Sequence, residues 1–367
     1  MKRLLLLFLP LALGAQPATT PEGFSLPVPG RAFSFPRDLG SHPDFRIEWW
    51  YVTGHLAAPA GQRFGFQSTF FRLAGPRGAT DANPDFSQQE IFLAHMALTD
   101  ISGGKFWHEE RLNRGGWDAG STRGDLDLHN GEWTMRRTPA GAADRPVFQL
   151  QGGVRADVGF RLTLAAAKPW VVFGENGVSR KGAEPSAASY YLTYARLAAE
   201  GTLTLAGQSF PVRGEAWMDH EISSSQVGRD QVGWDWVCVQ FHREPRELML
   251  YRMRRRDGTA DPASRLQWVG PDSRARTAAF SWKVLSHWKS PHSGATYPAR
   301  IELTATDPAS GAVVPLQLVP ELADQELSNS LGGGPYWEGA YRVLDARGQE
   351  VGSGYLELTG YARPLQF

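Results

Sequence analysis

Residues 214–236, GEAWMDHEISSSQVGRDQVGWDW, hold the densest run of groups able to do chemistry. Asp219, His220 and Glu221 stand in a row behind Trp217 and Met218. In a strand, neighbouring side chains point to opposite faces. Trp217, Asp219 and Glu221 therefore share one face, and Met218 and His220 the other. A carboxyl beside an indole on an inward face is a group whose pKa burial lifts, and so a candidate acid at neutral pH. The same spacing also describes a strand end where charge meets solvent, since most acidic side chains are exposed. His220 has two readings as well: a ligand-facing imidazole, or a surface or hydrogen-bonded histidine.

Other chemistries lack their residues. No Gly-x-Ser-x-Gly occurs, so the nucleophile elbow of a hydrolase is missing. Ser223, Ser224 and Ser225 form a serine run with nothing in sequence to activate it. No His-Glu-x-x-His occurs. His55, His95, His220 and His242 fall on separate strands with no ligand spacing, so no metal is expected. No glycine-rich loop leads from a strand into a helix, so no nucleotide and no other cofactor is expected. Lys+Arg 38 balance Asp+Glu 38 with no basic stripe, which argues against nucleic acid. The single cysteine, Cys238, has no partner for an intramolecular disulfide and sits in an apolar run, as a small core residue does.

The elements that must position these groups are strands. Residues 47–56 (IEWWYVTGHL) and 63–72 (RFGFQSTFFR) are rich in aromatic and β-branched residues and flank a Pro/Gly turn. Further strands are predicted at 91–98, 106–111, 132–136, 147–151, 160–165, 190–196, 202–206 and 213–220. No stretch keeps a helical period over three turns. After Gln231 the pattern restarts. Residues 234–241 echo 49–56, 248–254 echo 66–72, 336–342 echo 190–196, and 354–358 echo 214–218. The matches come in the same order, which points to an internal duplication. The chain is thus predicted all-β, with two consecutive barrels at 31–228 and 229–367. A small closed barrel either fills its interior or holds one apolar ligand. The 13 tryptophans supply either ordinary core, or the walls of cavities and of the contact between the two modules. Before the barrels, Lys2 and Arg3 precede an apolar run, Leu4 to Leu13, and the small residues Gly14 and Ala15. This is the pattern of a secretory signal over 1–15, followed by an extended lead-in over 16–30. An exported protein, in the periplasm or outside the cell, is expected. Cleavage removes two of the basic residues and leaves an excess of two acidic ones.

At Glu48-Trp49-Trp50-Tyr51, at residues 217–221 and at Gly233-Trp234-Asp235-Trp236, the chain resembles the carotenoid 1,2-hydratase family in its broad sense, which includes the AttH-like proteins and predicted secreted hydrolases. The resemblance runs from about Asp44 to Phe367. It implies two lipocalin-like barrels, an apolar isoprenoid, carotenoid-like or lipid ligand, and a peripheral membrane contact as a further partner. It also implies acid-catalysed addition of water to a C=C bond. The family's hydratases carry an aromatic-x-Asp motif whose Asp is the proton donor, and Trp217-x-Asp219 stands at that position, with Trp where Tyr is usual. Their upstream His-x-Trp pair would fall on Tyr190 and Leu192, and neither matches. Such a reaction protonates one carbon, forms a cation at the other and adds water. The acid must be neutral near pH 7, and aromatic faces stabilise the cation. The implied catalytic set is Asp219 as acid, Trp217 shielding it from water, Tyr190 as hydrogen-bond donor and Glu48 orienting ligand or water. The ligand-binding set is Trp49, Trp50, Tyr51, His95, His220, Glu221, Trp234 and Trp236. The rival expectation is a carrier of an apolar ligand in the envelope, without catalysis.

Overall fold

The computed structural model describes residues 18–77, 90–328 and 333–365. The signal segment lies outside them, as does most of the polar loop before Ile91. The described residues are almost entirely β, with one 3-10 turn at Arg37–Leu39. Two antiparallel sheets hold nearly all the strands. The first spans residues 47–225 and the second residues 231–358.

Each sheet is a meander that curls until its first strand meets its last. In the first, Ile47–Ala57 lies between Arg63–Leu73 and Gln208–Ser225. In the second, Gln231–Phe241 lies between Glu247–Arg255 and Glu350–Leu358. The four echoes in the sequence thus fall on strands with the same places in the two sheets. Ala188–Leu205 is one continuous strand, where the sequence reading expected two. A bulge between Tyr194 and Leu197 absorbs the irregularity that looked like a break. It pairs with Gln208–Ser225 through a two-residue turn, Ala206-Gly207, both at positive φ. That is the turn geometry whose twist suits a tight hairpin. The seam of the first barrel is stitched by side chains. Asn130 Nδ2 donates to the carbonyls of Phe92 and Arg111, and Asn113 Nδ2 donates to Asn130 Oδ1 at 2.6 Å.

Alternation decides where each side chain goes. Trp50, Val52 and Met218 point into the first barrel and fill it, together with Phe66, Trp133, Phe148 and Leu164. Val237, Val239, Leu303, Trp337 and Tyr341 fill the second. The opposite faces of the same strands form a third layer between the barrels. Tyr51, Tyr191 and Trp217 pack there against Trp236, Cys238, Met249, Tyr251 and Tyr355. Gly65 permits this approach: a Cβ there would lie 2.7 Å from Ala340 Cβ and from the Tyr355 hydroxyl. A cavity lined by residues of both barrels lies in this layer.

Candidate functional site

A cavity of about 390 Å³ opens in the layer between the barrels. The first barrel contributes Trp49, Tyr51, Phe71, His95, Tyr191, Asp219 and Glu221 from its outer wall. The second contributes Trp234, Trp236, Tyr251, Tyr336, Glu338 and Glu357. The lining is mainly aromatic and aliphatic, with a few polar groups turned inward, as small-molecule sites are built.

Asp219 is 2% exposed. Its Oδ1 accepts from Thr193 Oγ1 at 2.5 Å and from the Trp217 indole N–H at 2.7 Å. Its Oδ2 accepts from the Tyr191 hydroxyl at 2.6 Å. Tyr191 in turn accepts from the Trp236 indole N–H of the second barrel at 2.7 Å. Burial pushes the Asp219 carboxyl up to about 7; the bonds from Thr193, Tyr191 and Trp217 pull the other way, and the charge of Glu221 adds to the rise. Trp217 therefore has a double part: its ring packs in the layer, while its N–H favours the anion.

The same architecture recurs across the cavity. Tyr51 faces Asp219 across one strand pair, and Trp236 faces Glu357 across the matching pair of the second barrel. Thr193 faces Asp219 from its other side, and Glu338 likewise faces Glu357. Glu357 is thus the counterpart of Asp219, and Tyr355-x-Glu357 of Trp217-x-Asp219. The Tyr51 hydroxyl donates to Glu338 Oε1 at 2.6 Å, and the Trp234 indole N–H to Glu357 Oε2 at 2.9 Å. Burial and the charge of Glu357 hold Glu338 well above the usual carboxylate range. Burial lifts Glu357 to about 7, against the Trp234 bond. Glu221 is compensated: Lys181 Nζ lies 3.3 Å away and the Ser189 hydroxyl donates to it. Lys181 also sits over the rings of Tyr191 and Tyr251, at 4.4 and 3.9 Å.

Of the residues expected at the site, Asp219, Glu221, Trp49, Tyr51, His95, Trp234 and Trp236 line this cavity. Trp217 lies directly beneath Asp219. His95 Nδ1 is 2.7 Å from the Tyr336 hydroxyl, a bridge between the barrels. Glu48, Trp50, His220 and Tyr190 lie on the other face and do not meet the cavity. Glu48 is instead the centre of a buried charge cluster. Its carboxylate meets His42 Nδ1 at 2.7 Å, His220 Nε2 at 2.8 Å and Arg72 Nε at 3.1 Å, and His42 Nε2 reaches Asp38 at 2.9 Å. Trp50 stacks on His220 and donates to the Leu39 carbonyl. The cluster ties the residues ahead of the first strand to the barrel. Burial would raise the Glu48 pKa, but the bonds from His220 and His42 outweigh it and hold the group ionised. His42, Glu48 and His220 bring their donor atoms close enough to hold a metal ion. The Arg72 guanidinium already occupies the other carboxylate oxygen and repels a cation, so the set does not fit one.

Tyr190 packs on Phe33 and Phe45 and shares hydrogen bonds with the Val28 backbone. The residues that meet Asp219 from that strand are Tyr191 and Thr193, one position further on. Sequence reasoning missed both, and also Glu338 and Glu357. The signal for the latter two was the duplication itself, read with the strand register.

A family model described as AttH-like matches residues 26–361. No curated protein matches the chain. Among solved structures, an AttH protein (NE1406) from Nitrosomonas europaea superposes with a TM-score of 0.79 at 33% identity, covering 92% of this chain and 100% of that one. Kievitone hydratase from Nectria haematococca superposes with a TM-score of 0.66 at 14% identity, covering 94% and 98%. CghA with Sch210972 gives 0.52 at 12% identity, covering 94% and 98%. The last two likenesses are of fold.

Proposed function

The chain belongs to the AttH-like family, and from that premise we propose that the cleft between its barrels binds an apolar, unsaturated small molecule and that Asp219 delivers a proton to a C=C bond of it. One observation carries this reading: a buried carboxyl, lifted to about 7, stands in the wall of an aromatic cavity. A neutral carboxylic acid in an apolar site is what protonation of an alkene requires. A hydratase built on the same fold is compatible with it, although fold alone does not fix a reaction.

The network around Asp219 gives the proton a path. When Oδ2 is protonated, it donates to the Tyr191 oxygen. That oxygen also accepts from Trp236 and has the lone pairs for both. The phenolic hydrogen is then free to turn into the cleft. The proton leaves Tyr191 for the alkene carbon, Asp219 refills the phenol, and a carbocation forms on the neighbouring carbon. Water adds to that carbon and releases a proton, which restores Asp219. The ring faces of Trp49, Trp234 and Trp236 stabilise the cation meanwhile.

Asp219→Asn tests the reading. It keeps the shape and removes the acid. Turnover of an alkene substrate should fall by roughly 10²–10⁴-fold, with ligand affinity, followed by tryptophan quenching with polyenes, within about tenfold, a change of one RT-scaled decade. Unchanged turnover would place the acid elsewhere. The second reading is a carrier without catalysis. The three short bonds that Asp219 accepts favour it, because they stabilise the anion. Mass spectrometry of an organic extract of the purified protein separates the two: a carrier holds its ligand unaltered, whereas an enzyme supplied with that ligand converts it. On either reading the protein is exported, as Lys2, Arg3 and the following leucines suggest. Cell fractionation that finds the full-length chain in the cytoplasm would contradict export.

A further inference from the structure

Among the described residues, three carboxyls around the cleft have no cationic side chain of the protein paired with them. Lys181 is spent on Glu221. Asp219, Glu338 and Glu357 face the cavity with hydrogen-bond donors but no ion-pair partner among the described residues. Glu338 stands out among them. It is 1% accessible to solvent, it lines the cavity, and its Oε2 has no hydrogen-bond partner. A buried acceptor left unpaired is costly, so such an atom in a cavity wall is waiting for a ligand group. Tyr51 holds the other oxygen and fixes the direction of the free one. Glu357 lies directly opposite on the paired strand. Trp49, Tyr51, Trp234, Trp236 and Tyr336 wall the same space. Carboxyls set among aromatic faces are the chemistry that recognises a weakly hydrated organic cation.

We propose that Glu338 and Glu357 form a cation-selecting end of the cleft, so that its ligand is an apolar molecule carrying, or acquiring during reaction, one positive centre beside Glu338. This rests on the cleft being the ligand site and adds the ligand's charge class. A neutral alkene protonated from Asp219 acquires such a centre. An alkylammonium carries it permanently. In the empty protein the carboxyls keep protons in place of the cation. Binding of an ammonium then displaces a proton from the Glu338–Glu357 pair to the buffer, and the ammonium nitrogen takes its place beside the carboxylate. Asp219, Glu221, Lys181, His95, Tyr51, Tyr191, Tyr251 and Tyr336 are the other titratable groups facing the cleft, and Tyr51 is the one that donates to Glu338.

The test uses three probes of one chain length on the full protein: decyltrimethylammonium, decanol and decanoate, each below its micellar concentration. Affinity is read by tryptophan quenching, and proton release by calorimetry in buffers of different ionisation heat. The ammonium should bind about tenfold more tightly than decanol or better, as cation–π contacts with desolvated partners allow. It should release a proton where decanol does not, and decanoate should bind worst. Glu338→Gln should abolish the ammonium preference while decanol still binds. Glu357→Gln, a second neutral variant, should weaken the preference if Glu338→Gln does not fold. An ammonium that binds no better than decanol would overturn the proposal and leave the apolar cleft standing. The same holds for a preference that survives both variants. Failure of decanol and the ammonium alike to bind would sink the cleft itself.

Discussion

At the scale of single residues, two carboxylates from the same signature motifs are driven in opposite directions by their surroundings. Asp219 is buried among neutral donors and rises to about 7. Glu48 is as deeply buried, yet bonds from His220 and His42 hold it ionised. The first can serve as an acid and the second cannot. If Asp219 acts protonated, kcat/KM should fall as pH rises through about 7, and a profile flat from pH 5 to 9 would count against it. Stability follows the same group. Its folded pKa lies above the ordinary 3.8, so the folded state binds the proton more tightly. Its contribution is full below about pH 4 and is lost as pH rises to about 7, at roughly 1.4 kcal/mol per unit. Glu357, lifted from 4.5 to about 7, adds a loss of the same sign. Asp219→Asn should reduce the pH dependence of the melting temperature over that window, with the Glu357 part remaining. Glu48→Gln tests the opposite role. It takes from Arg72, which is fully buried, the buried one of its two carboxylates and leaves it only the partly exposed Glu90. The expected cost is roughly 3–5 kcal/mol in chemical denaturation, with ligand affinity unchanged. Lost affinity in a stably folded Glu48→Gln protein would return Glu48 to the ligand site.

At the scale of elements, the hairpin of Ala188–Leu205 and Gln208–Ser225 places the acid and its donors. Tyr191→Phe should leave both Asp219 Oδ2 and Trp236 Nε1 without their partner, at about 1–3 kcal/mol, and should cut turnover if the phenol relays the proton. Turnover equal to wild type would remove Tyr191 from the path. The strands themselves were largely legible. Residues 47–56 and 63–72 were found nearly to their ends, because aromatic and β-branched side chains crowd them. Short polar strands such as Ala119–Ser121 and Asp127–Asn130 were not found, since three or four residues carry no usable period. Faces were legible only where one strand was considered alone. Trp217, Asp219 and Glu221 do share a face. Across strands the reading slipped. Matching 336–342 with 190–196 was one residue out, which set Glu338 against Leu192 when it takes the place of Thr193. A slip of one flips every side chain to the other face, and it hid the second carboxyl pair. Matching 354–358 with 214–218 was two out, so it kept the face but hid the likeness of Glu357 to Asp219. Tyr190 was chosen over Tyr191 by counting back from Asp219, and the bulge and turn in between decide that count.

At the scale of the whole molecule, duplication makes the site. Each barrel fills its own interior and offers an aromatic outer wall, and the wall becomes a chamber only when the second copy covers it. The two barrels are legible in the sequence, but whether the ligand sits inside one or between them is not, because alternation within a strand does not say which face meets another barrel. Gly65→Val should wedge the barrels apart at Ala340 and Tyr355. The expected cost is about 1–3 kcal/mol, together with weakened polyene binding and a shift in tryptophan emission. Undiminished binding would mean that the chamber does not depend on that contact. The same dependence fixes the acid. Asp219 stands on the outer wall that faces the second barrel, whose Trp236 donates to Tyr191, the partner of Asp219. Its titration therefore reports the assembled chamber. Carbon-detected NMR of the Asp and Glu side-chain carboxyls, with Asp219→Asn to assign the signal, measures it without any ligand. The Asp219 carboxyl should titrate near pH 7. A carboxyl that stays ionised down to about pH 4, the value of an ordinary exposed aspartate, would contradict it.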